Sequence, residues 1–259
     1  MKNFEKFKIG DFVLAICEKN FWVFQLKEKG VFGTHFGKID HKEILKLRVG
    51  ERKKVGKKVV FFTKARLVDF INYKAKRVSQ IIYPKDSSQM IFFGDLKENL
   101  KVLEIGVGSG ALTLAILNFL GKKGRLVGLD YDKRMIKAAK ENVEKFLKAK
   151  NFEFKIMNVY EGINLKEKFD RIFIDIPDPA KIVKFLPPLI KNSGLIINYC
   201  VQADQLQKLV IELRKHNFFV QDIFETIKRD WLVDEKRLRA KELIRGYSAF
   251  ITIARPTLQ

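Results

Sequence analysis

Apolar and polar positions along the chain fall into two regimes. Over residues 1–70 the apolar residues form short, closely spaced runs: FKIGDFVLAICE (7–18), NFWVFQLKE (20–28), VFGTHFG (31–37) and RKKVGKKVVFFTK (52–64). Turn signals such as GD, KN and KG separate them, which predicts short strands curled into a small sheet or barrel. No helical period appears there before LVDFINYK (67–74). Phe21, Trp22, Phe24, Phe32 and Phe36 alternate with basic residues. They read as core rather than as a nucleic-acid surface.

From about residue 99 strands alternate with helices. KVLEIG, GRLVGLD, FEFKIMN, FDRIFIDI and GLIINYC read as strands. SGALTLAILNFL (109–120) reads as a helix, and Met135, Ala139, Val143 and Phe146 recur at helical spacing. ADQLQKLVIELRKH (203–216) is expected to bury Leu206, Leu209, Val210 and Leu213. NFFVQDIFETI and YSAFITIAR close the chain as strands. The alternation implies an α/β fold with a doubly wound, mostly parallel sheet over residues 73–259, preceded by a small β domain over 1–72. In such sheets the ligand lies beyond the carboxyl ends of the strands.

Charge changes the picture next. Lys and Arg number 51 against 30 Asp and Glu, a net charge of +21, which favours a polyanionic partner. Two cysteines, Cys17 and Cys200, give no disulfide framework and point to a cytoplasmic protein. No apolar stretch is long enough for a membrane span, and MKNFEKFKIGDF lacks the apolar core of a signal peptide. Three scattered histidines and no C-x-x-C predict no metal site.

VLEIGVGSGALTLAI (102–116) carries the chemistry. Gly106, Gly108 and Ala111 satisfy the G-x-G-x-x-A dinucleotide fingerprint. The same residues satisfy E-x-G-x-G-x-G, the donor loop of class I methyltransferases, so the loop alone does not choose. Glu104 favours the second reading, because dinucleotide folds tend to be apolar at that strand end. Asp130 ends the next strand and could take ribose hydroxyls in either fold. FDRIFIDI runs into Asp175-Ile176-Pro177-Asp178-Pro179, acids and prolines at a strand end for which hydride transfer has no obvious use. Gly110 could serve helix packing alone.

KAKRVSQIIYPKDSSQMIFF (74–93), the glycine loop and DIPDP together resemble the tRNA (adenine-N1)-methyltransferases of archaea and bacteria. GVFGTHFGKIDHKEI is similar to that family's small β domain, and RLRAKELIRGYSAFITIAR to its closing hairpin. The resemblance implies a class I methyltransferase fold and an S-adenosylmethionine-dependent enzyme. It would form N1-methyladenosine at position 58 of the tRNA T loop, and in some archaea also at 57. It implies tRNA as partner and a homotetramer. Donor binding falls to Glu104, Gly106, Gly108, Ser109, Gly110 and Asp130, with Gln80, Tyr83 and Asn158 added by the resemblance. Methylating adenine N1 makes the ring cationic, and a carboxylate at the amino group would offset that charge. Asp175 is the first choice for this role and Asp178 the second. The target base must leave its stack, and Tyr83, Tyr160 and Tyr247 are candidate stacking groups. Three departures stand out. Tyr247-Ser248-Ala249 replaces a His-Thr-Gly stretch, Ala240 replaces a proline, and Asn158 stands where an Asp is common.

Three rivals differ in chemistry. An RNA cytosine-C5 methyltransferase needs a nucleophilic cysteine, and Asp178 occupies the usual place while Cys200 lacks the expected neighbours. A non-catalytic tRNA-binding subunit would be expected to have a degraded loop or no Asp175. A dehydrogenase would bind a nicotinamide cofactor instead.

Overall fold

The structure, a computed structural model, describes residues 4–242, 244 and 246–257. They form two compact units, residues 1–76 with 144–148, and residues 77–143 with 149–259.

The first unit contains β1 (Phe12–Cys17), β2 (Asn20–Gln25), β3 (Val31–Thr34), β4 (Gly37–Asp40), the one-turn helix α1 (His41–Ile44), β5 (Glu51–Val55), β6 (Lys58–Lys64) and α2 (Leu67–Tyr73). An antiparallel sheet runs β2-β1-β6-β5, and β3 and β4 form a separate hairpin. β1 alternates strictly, with Val13, Ala15 and Cys17 buried. That period of two is what one buried face requires. Leu26, Ile44 and Phe62 fill the core. Of the five aromatics expected there, Phe32 is buried, and Trp22, Phe24 and Phe36 are half-buried against it. Phe21 is exposed and meets the Tyr73 ring edge-on at 5.1 Å. β2 is an edge strand, and Phe21 sits beside its hairpin turn, outside the covered face.

The second unit follows as α3 (Pro84–Phe93), β7 (Lys101–Ile105), α4 (Ala111–Leu120), β8 (Arg125–Asp130), α5 (Lys133–Phe146, whose last turn from residue 144 belongs to the first unit), β9 (Phe152–Ile156), β10 (Phe169–Ile174), β11 (Ile190–Cys200), α6 (Ala203–Lys215), β12 (Phe218–Phe224), β13 (Trp231–Asp234), β14 (Arg237–Ala240) and β15 (Phe250–Pro256). Its seven-stranded sheet runs β12-β15-β11-β10-β7-β8-β9. Pairs from β11 to β9 are parallel, and β15 joins β11 and β12 antiparallel. The inner strands are buried on both faces, which explains their nearly continuous apolar runs.

Several expectations are corrected. In α6 only Leu209 and Leu213 are buried, while Leu206 and Val210 are half-buried, because the helix covers the sheet along a narrow stripe. The apolar face of α5 forms as expected, with Ala139 and Val143 buried and Met135 and Phe146 half-buried. YPKDSSQMIFF is a helix, begun by Pro84 at its first position, where the missing N–H costs nothing. β14 pairs with β13 rather than with β15. Leu243 and Arg245, in the stretch between β14 and β15, lie outside the described residues. No helix among the described residues is long and apolar enough to cross a membrane.

Candidate active site

Strand register assembles the site. Ile105 of β7 lies opposite Leu129 of β8 and Ile174 of β10. The next residues, Gly106, Asp130 and Asp175, therefore emerge side by side at the carboxyl edge. The ladders extend one step further, with Gly106 N–H donating to Leu129 O at 2.9 Å and Asp175 N–H to Ile105 O at 2.8 Å.

The loop between β7 and α4 turns through three glycines in the left-handed region, Gly106, Gly108 and Gly110 at φ +90°, +53° and +79°. A Cβ on Gly106 would lie 2.0 Å from the Asp175 carbonyl oxygen, and one on Gly110 2.8 Å from Ala139. Both therefore need glycine for close backbone approach as well as for φ. Gly110 caps α4 and packs on α5, so helix packing accounts for it.

Asp130 is tied into this loop. It accepts from Gly108 N–H at 2.9 Å and from Asp132 N–H at 3.0 Å, which fixes the carboxylate before any ligand arrives. Ser109 is buried, and its hydroxyl accepts from the N–H groups of Val78 and Ser79 at 2.9 and 3.1 Å. The Asn142 amide donates to Ser109 O at 2.9 Å.

Glu104 is wholly buried. Its Oε2 accepts from the Thr113 hydroxyl at 2.7 Å, and Oε1 has no hydrogen-bond partner among the described residues. Burial raises its pKa to about 8, with the charges of Asp175 and Asp130 adding to the effect. Asp175 is half-buried, and burial followed by the charge of Asp130 raises it to about 7. Three carboxyl groups on adjacent strands thus make a site short of positive charge.

A crevice at this edge is lined by Gly106, Leu129, Asp130, Tyr131, Met157, Asn158, Val159, Tyr160, Asp175, Ile176 and Pro177. Asp178 is not in that lining. It is exposed, its carboxylate accepts from Lys181 Nζ at 2.9 Å, and its N–H donates to the Tyr160 hydroxyl at 3.1 Å. Asn158 is exposed, and its amide donates to Glu161 at 2.7 Å. Gln80 is exposed, and Tyr83 is half-buried as the N-cap of α3. Tyr247 is half-exposed, and its hydroxyl donates to Val201 O at 2.6 Å. Neither Gln80, Tyr83 nor Tyr247 lines the crevice.

Sequence reasoning missed Thr113, Asn142 and Tyr131, and it missed a buried polar cluster behind the edge. There Lys85 Nζ lies 2.7 Å from Asp86 and donates to Thr226 O at 2.8 Å and to the Ser248 hydroxyl at 2.6 Å. Asp86 also accepts from the hydroxyls of Ser248, Thr226 and, at 3.4 Å, Tyr199. Ser248 thus gives the unusual Tyr-Ser-Ala stretch a structural role. The Lys-Asp pair in YPKD was its one signal. Cys200 is buried, accepts from the Asn198 amide at 2.9 Å, and is pushed up to about 11 by burial. Burial thus disfavours the thiolate that a C5 mechanism needs.

Sheet order, the acid-and-glycine loop after β7 and the acid ending β8 define a class I methyltransferase fold. A SAM-dependent O-methyltransferase from Thermotoga maritima matches it with TM-score 0.90 at 25% identity, covering 98% of this chain and 96% of that one. The tRNA (m1A58) methyltransferase TrmI from Aquifex aeolicus matches with TM-score 0.83 at 22% identity, covering 98% and 100%. Residues 72–251 match the family described as tRNA methyltransferase complex GCD14 subunit, and the chain belongs to that family. The tRNA (adenine(57)-N(1)/adenine(58)-N(1))-methyltransferase TrmI of Methanocaldococcus jannaschii is 28% identical over 249 residues, 86% of this chain and 87% of that relative.

Proposed function

We propose that this chain methylates N1 of adenosine 58 in the T loop of tRNA, using S-adenosylmethionine. One observation carries the reading within the family: Asp175 stands half-buried at the crevice beside the glycine loop.

The residues present fit the donor. Glu104 holds an unpartnered buried oxygen at the loop, suited to a cationic amino group. Asp130 retains acceptor capacity for ribose hydroxyls beyond its two backbone bonds. Gly106 and Gly108 let the backbone approach closely, and Ser109 and Gly110 fix the loop's path. Asn158, two residues past the end of β9, can accept from an adenine amino group, and Tyr131 offers a ring face beside Asp130. Gln80 and Tyr83 flank the donor in the same reading. When bound, S-adenosylmethionine supplies an electrophilic methyl group on its sulfonium.

Asp175 then accepts a hydrogen bond from the exocyclic amino group of the target adenine. Its carboxylate offsets the charge that develops on the ring as N1 is methylated. A pKa near 7 lets it take that amino proton and release it to water. Asp178 acts from outside the crevice, holding the loop through Lys181 and Tyr160. Tyr83, Tyr160 and Tyr247 are the candidate stacking groups for the extruded base, and of these Tyr160 lines the crevice. Homotetrameric assembly and a cytoplasmic location belong to the same reading.

Purified full chain incubated with an unmodified tRNA transcript and donor should yield 1-methyladenosine by nucleoside mass spectrometry. Nuclease mapping should place it at position 58. Formation of 5-methylcytidine, or donor binding without any methylated nucleoside, would refute the proposal.

A further inference from the structure

The amino-terminal unit holds a cavity of about 520 Å³ that the chemistry above does not use. Its floor is aromatic. Phe24 stacks on Phe32 with ring centroids 4.6 Å apart, and the buried His41 ring lies 5.3 Å from Phe24. Its rim carries Lys27, Lys29, Lys74 and Lys145, and no Asp or Glu among the described residues lines it.

These four lysines differ from three others of the same unit in being unpaired among the described residues, and from further unpaired ones such as Lys38 and Lys46 in lining one concave surface. Lys53 pairs with Glu43, Lys58 with Glu18, and Lys64 with Glu5 and Asp11. None of the four rim lysines has a carboxylate partner among the described residues, and all are exposed. Unneutralised ammonium groups around a concave surface focus a positive potential into it.

The loop that presents Lys27 and Lys29 is also fixed in advance. Lys27 N–H donates to His41 Nδ1 at 3.1 Å, and His41 N–H donates to Gly30 O at 2.9 Å. Gly30 has to be glycine there, since a Cβ would lie 2.6 Å from the same Nδ1. Burial lowers the His41 pKa, so the ring serves as a neutral acceptor. A loop held this way loses little further freedom when it takes a ligand.

We propose that this cavity is a phosphodiester site for RNA. The rim lysines take backbone phosphate oxygens and the ring floor takes a ribose or base. The inference rests on tRNA being the substrate and adds that the amino-terminal unit grips it independently of the methyl-transfer crevice.

The test compares two triple variants of the full chain with equal loss of charge. Lys27→Gln/Lys29→Gln/Lys74→Gln removes three of the four rim lysines. Lys122→Gln/Lys123→Gln/Lys168→Gln removes exposed lysines just before β8 and β10, at the amino ends of the strands. Fluorescence anisotropy with labelled unmodified tRNA gives Kd across a salt series, and calorimetry with S-adenosylmethionine checks that both variants keep the donor site. The rim variant should bind tRNA roughly tenfold or more weakly, with a salt slope reduced by about 2. The control's slope should fall by less than about 1. Equal shifts in the two variants, with wild type binding tRNA normally, overturn this inference alone. Failure of the wild-type chain to bind tRNA overturns the proposed function and this inference with it.

Discussion

Replacing Glu104 by glutamine removes a carboxyl group held wholly inside the protein with one oxygen unpartnered. Its pKa is about 8 in the folded chain against an ordinary 4.5. Between those values the folded chain keeps a proton there that the unfolded chain has lost. Rising pH therefore favours unfolding, by about 1.4 kcal/mol per pH unit from this group. The stability it contributes is complete below about pH 4.5 and gone above about pH 8, a total of roughly 5 kcal/mol. Glutamine does not titrate, so the variant escapes this loss. Its amide does carry two donors into a space with one hydroxyl neighbour, a pH-independent cost of about 1–3 kcal/mol. Asp175, also raised, titrates in both proteins and cancels on subtraction to a first approximation. Urea unfolding of both proteins between about pH 4 and pH 9 gives the difference directly. It should be flat below about pH 4.5, climb in the variant's favour at about 1.4 kcal/mol per unit, and level off above about pH 8. Saturating S-adenosylmethionine, a cation, should draw Glu104 toward its ionised form and shrink the wild-type deficit above pH 7, while the variant loses donor affinity. Parallel stability curves at all pH values would refute the assignment of a buried, protonated Glu104.

Asp175→Ala should leave donor affinity nearly intact and cut single-turnover methyl transfer by a hundredfold or more, roughly 3 kcal/mol, with Asp175→Asn retaining part of the rate. Asp178→Ala should cost less, since its carboxylate is exposed and bonded to Lys181. Wild-type kcat/KM should rise as pH passes through about 7, because only ionised Asp175 carries the charge that offsets the ring's and can take the amino proton, and Asp175→Asn should lose that step. Gly106→Ala brings a Cβ to 2.0 Å from the Asp175 carbonyl oxygen at φ +90°, and calorimetry should show donor affinity at least about tenfold weaker. Asp86→Ala strands the buried Lys85 ammonium and should destabilise the chain by about 3–5 kcal/mol in urea unfolding. Adding Lys85→Met to that variant should recover much of the loss.

Order and type of the main elements were legible from the sequence, because burial on both faces of a parallel sheet writes continuous apolar runs and helix amphipathicity writes its own period. The turn after β7 was legible for the same local reason, since three left-handed positions in five residues, two of them without room for a Cβ, call for glycine. The end of β10 marked Asp175 as a crevice residue in the same way. What the sequence could not carry is any relation between distant side chains. Lys85 meets Ser248 across 163 positions, and Asp86 meets Thr226 across 140, with no periodic signature to announce either pair. Thr113 under Glu104 and Asn142 under Ser109 are of the same kind. Strand register, fixed by the whole ladder, decided that Gly106, Asp130 and Asp175 share one edge, while Asp178, three residues further on, turns out to Lys181. Burial of a given apolar residue also depends on what packs over it, which is why Phe21, Leu206 and Val210 departed from their patterns. Local chemistry chose the elements and the loop; the long-range packing chose which groups face one another, and with that the pKa values on which the chemistry depends.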